Sequence, residues 1–481
     1  MRWCVVVLAL VSVAAFAQES PTGDPQESAL HAQLRREGER VGQACTFSFK
    51  ALPMCGYTLF TDHPLHIAAG SLPPQNGFGV GGAFVWTKNL TNWRMSWDLD
   101  AVGATSGSWR AGGYMKFIHT PHPSAPVIKP IIPTPGQPAS TEKKEFAAPF
   151  THPYTVFNLY AQAISLNKLN YFGEGNDSTL ATASLFGMTQ TIVGANAIKP
   201  VYELAPIRKL NLALLGEING RFVSVRGDHG QSIPSIEALY TNATAPGLSS
   251  QPAFVQLGQG FRIKPDTGDY FKLNYTANFQ EFFAPSSSQN SFLRWTADLN
   301  HTFYLYGNAK TAAGPNDQIG PDSCQQVNEK CPQISHTRNL SGFVTARLYV
   351  SESMTSATSA VPFYFQQTLG GSDIDSAMSL GSYQDYRFRA PNLLLLQGSV
   401  EHSVWGPVGV KFMADEGRVA LTRGDLGFSH LRHSFAAGLT LRAGAFPMVQ
   451  LMFAWGGPEG HHNIFNLNNS LLGSSARPQL D

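Results

Sequence analysis

The sequence predicts an all-β protein, a transmembrane antiparallel β-barrel of about 16 strands with a short N-terminal periplasmic segment. Three observations carry that expectation. Apolar and hydrogen-bonding residues alternate with period two through most of the chain, in many runs that exceed the roughly 5–6 residues of a soluble strand and match the roughly 9–11 needed to cross a bilayer. Charged residues make up only 14% of the chain, against roughly 25% in a soluble domain. Aromatic residues recur near the ends of the runs, as at Trp86, Tyr304, Tyr306, Trp405 and Trp455, where amphipathic rings suit a membrane interface.

Arg2 precedes a mostly apolar run from Trp3 to Ala14, followed by Ala15-Phe16-Ala17. This is the pattern of a secretory signal peptide over residues 1–17, cleaved before Gln18. Export leads to an oxidising compartment, and a Gram-negative barrel is expected in the outer membrane. Once Cys4 is removed with the signal, Cys45, Cys55, Cys324 and Cys331 remain. Two close pairs favour Cys45 with Cys55 and Cys324 with Cys331, although four cysteines allow three connectivities. A zinc site is the alternative, but the spacings lack a C-x-x-C knuckle.

Residues 18–75 form the expected periplasmic segment. Glu27 to Gly42 is charged and helix-permissive, and Pro64 between His63 and His66 argues against a histidine pair on a regular helix. The barrel is expected over 76–473, followed by a tail over 474–481. Its clearest runs are Tyr270 to Phe283 and Ser291 to Tyr306. In the second, Leu293, Trp295, Ala297, Leu299, Phe303 and Leu305 oppose Arg294, Thr296, Asp298, Asn300 and Thr302, with His301 the polar intruder on the apolar face. Sixteen runs are read, from 77–88 to 462–472 and including 361–368. The connections 120–150, 227–250, 307–336 and 369–391 are long, although strand parity does not place all of them consistently.

Thirty-four basic against 33 acidic residues argue against a nucleic-acid footprint. No catalytic constellation is apparent, so no enzyme activity, cofactor or metal is expected. Ser434 and His433 are adjacent and would face opposite sides of a strand, and no Gly-x-Ser-x-Gly elbow occurs. His461 and His462 near Glu459 read as a polar turn rather than a metal site.

The order LGG, LGSYQDYRFR, NLLLLQGSVEHSV, VGVKFMADEGRV, then a glycine-bearing strand and a closing hairpin, resembles the barrel of the BamA/TamA outer-membrane assembly family, the bacterial surface antigens. The turn YFGEGNDS (Tyr171 to Ser178) is similar to one in that family. The resemblance spans roughly 77–473 and is most specific over 369–456. It implies an inward-folding loop whose Arg-Gly-aromatic tip meets acidic residues on the barrel wall. Here the matching stretch is Leu380-Gly381-Ser382-Tyr383, with Gly381 at the arginine's place and Tyr383 as the aromatic. Arg387 and Arg389 stand near enough to substitute. Their expected partners are Glu401 and Asp415, which alternation puts on the lumen side.

The resemblance further implies a weak seam between first and last strands, with Gly77, Gly79, Gly81 and Gly82 loosening the first. The alternative for these glycines is close backbone packing. The expected partners are outer-membrane lipids and client β-barrel or secreted proteins. With only 18–75 ahead of the barrel, the chain reads as a barrel-only relative without tandem periplasmic domains. The alternative function is a passive or selective pore with an inward plug loop.

Overall fold

The structure is a computed structural model. It describes residues 64–119, 154–201, 210–228, 232–268, 270–318, 333–375, 377–405, 408–443 and 446–467, together with isolated positions 35, 38, 39, 41, 42, 45, 59 and 477. The expected signal peptide, Cys55, Cys324, Cys331 and most of the C-terminal tail lie outside the described residues. The chain divides into two compact units, 1–59 and 60–481. In the first, Arg35 pairs with Glu39 one helical turn on, and Cys45 is disulfide-bonded.

The second unit is built on one 16-stranded antiparallel sheet in which every strand pairs with the next wall strand in sequence. The first half of the wall runs through β1 (Leu65–Ser71), β2 (Phe78–Asn89), β3 (Trp93–Ala104), β4 (Trp109–His119), β5 (Val156–Tyr171), β6 (Ser184–Pro200), β7 (Leu212–Gly227) and β8 (Phe254–Ile263). It continues through β9 (Phe271–Phe283), β10 (Phe292–Gln318) and β11 (Gln333–Met354). The chain then leaves the wall to form a separate two-stranded ribbon, β12 (Gln367–Leu369) with β13 (Phe388–Ala390). It rejoins the wall as β14 (Asn392–Trp405), β15 (Val408–Ala420), β16 (Arg432–Ala443), β17 (Phe446–Gly457) and β18 (Gly460–Leu467). The two end strands, β1 and β18, come back alongside each other, so the sheet rolls into a barrel.

The wall is polar inside and apolar outside, the reverse of a soluble sandwich. On β7, Leu214, Ile218 and Phe222 are each at least half exposed, whereas Leu215 and Asn219 are buried. Glu401 and Asp415 are buried on the inner face, while Val400 and Phe412 look outward. His301 is satisfied on the outer face by Tyr275, whose Oη lies 2.7 Å from Nε2 on the neighbouring strand.

Two corrections explain the parity problem. The run 361–368 is not a wall strand; it is the root of the inward segment and ends in β12. The true first strand is β1, LHIAAGS, which falls inside the segment expected to precede the barrel. It is short, and Ala-Ala-Gly blunts its alternation. One false strand and one missed strand leave the count at 16 but shift the parity of every connection before residue 361. With the correct order, β4 ends and β5 begins, and β10 ends and β11 begins, at the end of the barrel where β1 starts and β18 finishes. The connections at 228–253 and 355–391 emerge at the other end.

The four glycines consequently sit in β2 or just before it, one strand in from the barrel's edge. A Cβ on Gly81 would lie 1.8 Å from the Ala101 carbonyl oxygen. The close-packing alternative therefore describes Gly81, because β2 and β3 approach too tightly there for any side chain.

Candidate functional site: an inward loop beside a strand seam

Residues 355–391, between β11 and β14, turn into the barrel instead of away from it. Their root is aromatic. Phe363, Tyr364 and Phe365 are buried among wall residues of β5 to β10. Edge-to-face contacts set Phe363 5.2 Å from both Tyr171 and Phe186, and Phe365 4.9 Å from Phe254. Backbone carbonyls exposed by this irregular segment receive arginine donors: Arg294 Nη2 donates to Phe365 O at 2.6 Å and Arg389 Nη1 to Phe363 O at 2.7 Å. A buried carbonyl without a donor would cost about 1–3 kcal/mol, so these arginines make the inward path tolerable.

The tip docks on the opposite arc of the wall. Leu380 N–H donates to Asp415 Oδ2 at 3.0 Å, and Ser382 N–H donates to Ser434 Oγ at 2.9 Å. Gln397 Nε2 reaches Met378 O at 3.0 Å and Asp415 Oδ1 at 3.3 Å. Leu380 and Tyr386 adopt left-handed backbone angles, φ 47° and 61°, unusual for residues with a Cβ. Burial of both side chains and the bond to Asp415 hold that geometry. Tyr383 packs edge-to-face on Phe388 with ring centres 5.1 Å apart. A Cβ on Gly381 would meet Ile464 Cδ1 at 2.8 Å and Ala454 Cβ at 3.3 Å. This explains glycine at the place where the resemblance leads one to expect arginine: the position is pressed flat against β17 and β18.

The expected arginine-to-acid pairs take a different form. Asp415 does meet the loop, but through the Leu380 backbone N–H, with Gln397 bridging its other oxygen to Met378 O. Glu401 accepts from Thr440 Oγ1 at 3.0 Å, and Lys411 stands opposite it in register. Arg387 pairs instead with Glu459 on the β17–β18 turn, Nε to Oε1 at 2.5 Å, and its other nitrogens donate to Ser178 Oγ at 2.8 Å and Ser178 O at 2.6 Å. Its guanidinium lies over the rings of Phe172 and Phe388. Arg389 is buried between Tyr171 and Phe363. The YFGEGNDS turn thus closes over the loop, since Gly175 N–H also donates to Arg389 O at 2.8 Å and Glu174 accepts from Gln366. Glu459 and Ser178 were not legible as partners because nothing local marks residues so distant in the chain.

Two cavities flank the loop. One of about 460 Å³ lies at the seam, lined by β1 and its turn (Ser71, Leu72, Gln75), by the loop (Gly381, Tyr383, Asp385) and by β18 (His462, Ile464, Phe465). The other, about 300 Å³, lies in the lumen between charged groups that include Arg221, Asp298, Arg347, Asp373 and Asp375. Arg347 grips Asp298 with two bonds, 2.9 and 2.8 Å. Asp373 accepts the backbone N–H groups of Asp375 and Ala377, but burial, reinforced by neighbouring Asp375, pushes its carboxyl up to about 7. Burial likewise raises Asp385, which accepts Ser372 N–H at 2.9 Å. Among the described residues no cluster of metal-ligating side chains occurs.

The seam itself is short. β1 has 7 residues and β18 has 8, fewer than any other wall strand, and among the described residues no ladder joins them.

No protein-family model matches the chain, and no curated protein matches it. Solved structures with a similar strand arrangement include CdiB from Acinetobacter baumannii, at 9% identity and TM-score 0.44, over 84% of this chain and 59% of that one. CdiB from Escherichia coli matches at 10% identity and TM-score 0.45, over 85% and 61%. BamA from Haemophilus ducreyi lacking POTRA domains 1-3 matches at 11% identity and TM-score 0.43, over 84% and 68%. The chain therefore spans about three fifths of the length of the two CdiB structures, and likeness at this level assigns neither family nor activity.

Proposed function

We propose that this protein is a Gram-negative outer-membrane β-barrel, embedded through its apolar outer face, that takes part in inserting proteins into that membrane or exporting them across it, without enzymatic activity of its own. The observation that supports this reading is the seam. The two shortest strands of the wall meet there without a ladder among the described residues, and a cleft of about 460 Å³ opens beside them. A short strand edge next to a cavity is suited to adding an extended segment of another protein by β-augmentation. The clients are accordingly β-barrel or secreted polypeptides.

The test is a reversible lock. One cysteine is placed within Leu65–Ser71 and one within Gly460–Leu467, and cells depending on the variant are grown oxidised or with reductant. Loss of other outer-membrane proteins or of secreted clients only when the lock is closed supports the reading; equal levels in both states overturn it.

A second reading, a selective pore with a plug, draws on the charged lumen cavity near Arg347 and Asp373. Large, steady single-channel currents from the intact protein, together with an indifferent seam lock, would favour it.

A further inference from the structure

One lumen contact joins the wall to a residue that belongs neither to the wall nor to the inward loop. Glu217 of β7 is almost wholly buried, and wall residues hold its carboxylate in place. Tyr160 Oη of β5 donates to Oε1 at 2.6 Å, and Gln256 Nε2 of β8 lies 3.3 Å from Oε2. Asn219 Nδ2 steadies both holders, donating to Tyr160 Oη at 3.3 Å and to Gln256 Oε1 at 3.1 Å. A carboxylate fixed beside a phenol ring is the complement of a guanidinium, which pairs with the acid and lies against the aromatic face.

That place is taken by Arg477, which lies beyond the last wall strand, β18. Its Nη1 is 3.2 Å from Glu217 Oε1, and its Cζ is 5.6 Å from the centre of the Tyr160 ring. Asp375 on the inward loop lines the same lumen cavity as Arg477 and adds a second negative charge there. The nearby cation Arg221 has its own place, with Nε on Asn219 Oδ1 at 3.1 Å and its guanidinium over Phe282 and Phe365. Glu217, Tyr160, Asn219 and Gln256 sit on three consecutive or near-consecutive strands and remain linked to one another without Arg477. The holder is built from wall strands, whereas its occupant belongs to none of them and lies ten positions past the last, β18.

We propose that Glu217, Tyr160 and Asp375 form a guanidinium socket in the barrel lumen, that Arg477 fills it as a displaceable stopper, and that an arginine side chain of another polypeptide inside the barrel is the ligand that displaces it. A tethered competitor acts at an effective concentration on the order of millimolar, so an outside arginine competes in that range until Arg477 is removed. A lysine is a poorer ligand because its ammonium lacks the flat face that lies on Tyr160. The choice of a polypeptide as the ligand rests on the assembly reading, but the socket is tested with neither the seam nor any client, so the two can fail separately.

The experiment titrates Nα-acetylarginine amide into the full mature protein folded in detergent and follows ligand-observed NMR. Arg477→Ala is expected to bind the probe at least about tenfold more tightly than the wild type, and Arg477→Ala with Glu217→Gln to lose about tenfold or more of that gain. Nα-acetyllysine amide should bind Arg477→Ala more weakly than the arginine probe. If Glu217→Gln does not fold, Tyr160→Leu in the Arg477→Ala background removes the ring face and should weaken binding in the same way. Binding no tighter in Arg477→Ala than in the wild type overturns the proposal, as does equal binding when Glu217 or Tyr160 is also changed.

Discussion

At the residue scale, the charges between Arg387 and Asp415 are recognisable from sequence as groups that burial forces into partnership, and the structure buries Arg387, Arg389, Glu401 and Asp415. What sequence does not reveal is the choice of partner. Arg387 finds Glu459 72 positions on and Ser178 209 positions back, separations over which only the closed wall brings residues together. Arg387→Ala strands Glu459 in a nearly dry site and should lower unfolding stability by roughly 3–5 kcal/mol. Arg387→Ala with Glu459→Ala should recover part of that loss, because no lone charge remains; urea unfolding of the two variants measures it, and a double variant no better than the single refutes the pairing. Asp415→Ala leaves Leu380 N–H without its acceptor at a cost of about 1–3 kcal/mol, whereas Asp415→Asn keeps an oxygen there and should cost less. Both are read from the temperature at which the folded form loses its faster gel migration.

At the scale of elements, strand alternation is legible wherever a run is long enough to show two faces, as in β9 and β10. It fails at both ends of its range. β1 is too short and too rich in alanine and glycine to declare a face, and the aromatic root of the inward loop imitates a wall strand because Val361, Phe363 and Phe365 alternate with Pro362, Tyr364 and Gln366 in sequence, although all six are buried. The loop's seat supports two predictions. Gly381→Ala presses a methyl group into Ile464 and should unseat the tip at a cost of about 1–3 kcal/mol, with Ile464→Val restoring part of it, as read by protease cleavage within residues 370–390. Asp373 gives the seat a pH dependence. Its folded pKa is raised to about 7 from an ordinary 3.8, so the folded protein binds the proton more tightly than the unfolded chain. Stability from this group is therefore greatest below about pH 4 and falls as pH rises through 7, where the buried carboxylate must ionise. Asp373→Asn, which keeps the acceptor for the Asp375 and Ala377 N–H groups, should narrow the difference in urea midpoint between pH 5 and pH 8; an unchanged difference would show that other groups set it.

At the scale of the whole molecule, the apolar outer face and polar lumen are the parts most fully written in the sequence, since they follow from alternation and low charge alone. Which connections share an end of the barrel is not, because one misplaced strand inverts them. Deleting 371–386 should open the lumen and raise single-channel conductance in planar bilayers, and an unchanged current would mean that something else closes it. The loop also has a mechanical consequence. Its root is fastened to β5–β10 and its tip to β14–β18, so it crosses the ring like a tie-rod between opposite sides of a hoop. A hoop cut at one point springs apart by as much as its tie allows. A rod anchored at Phe363 and Leu380 is thus expected to influence the gap between β1 and β18 from a distance, so that slackening either anchorage should change the width of the cut.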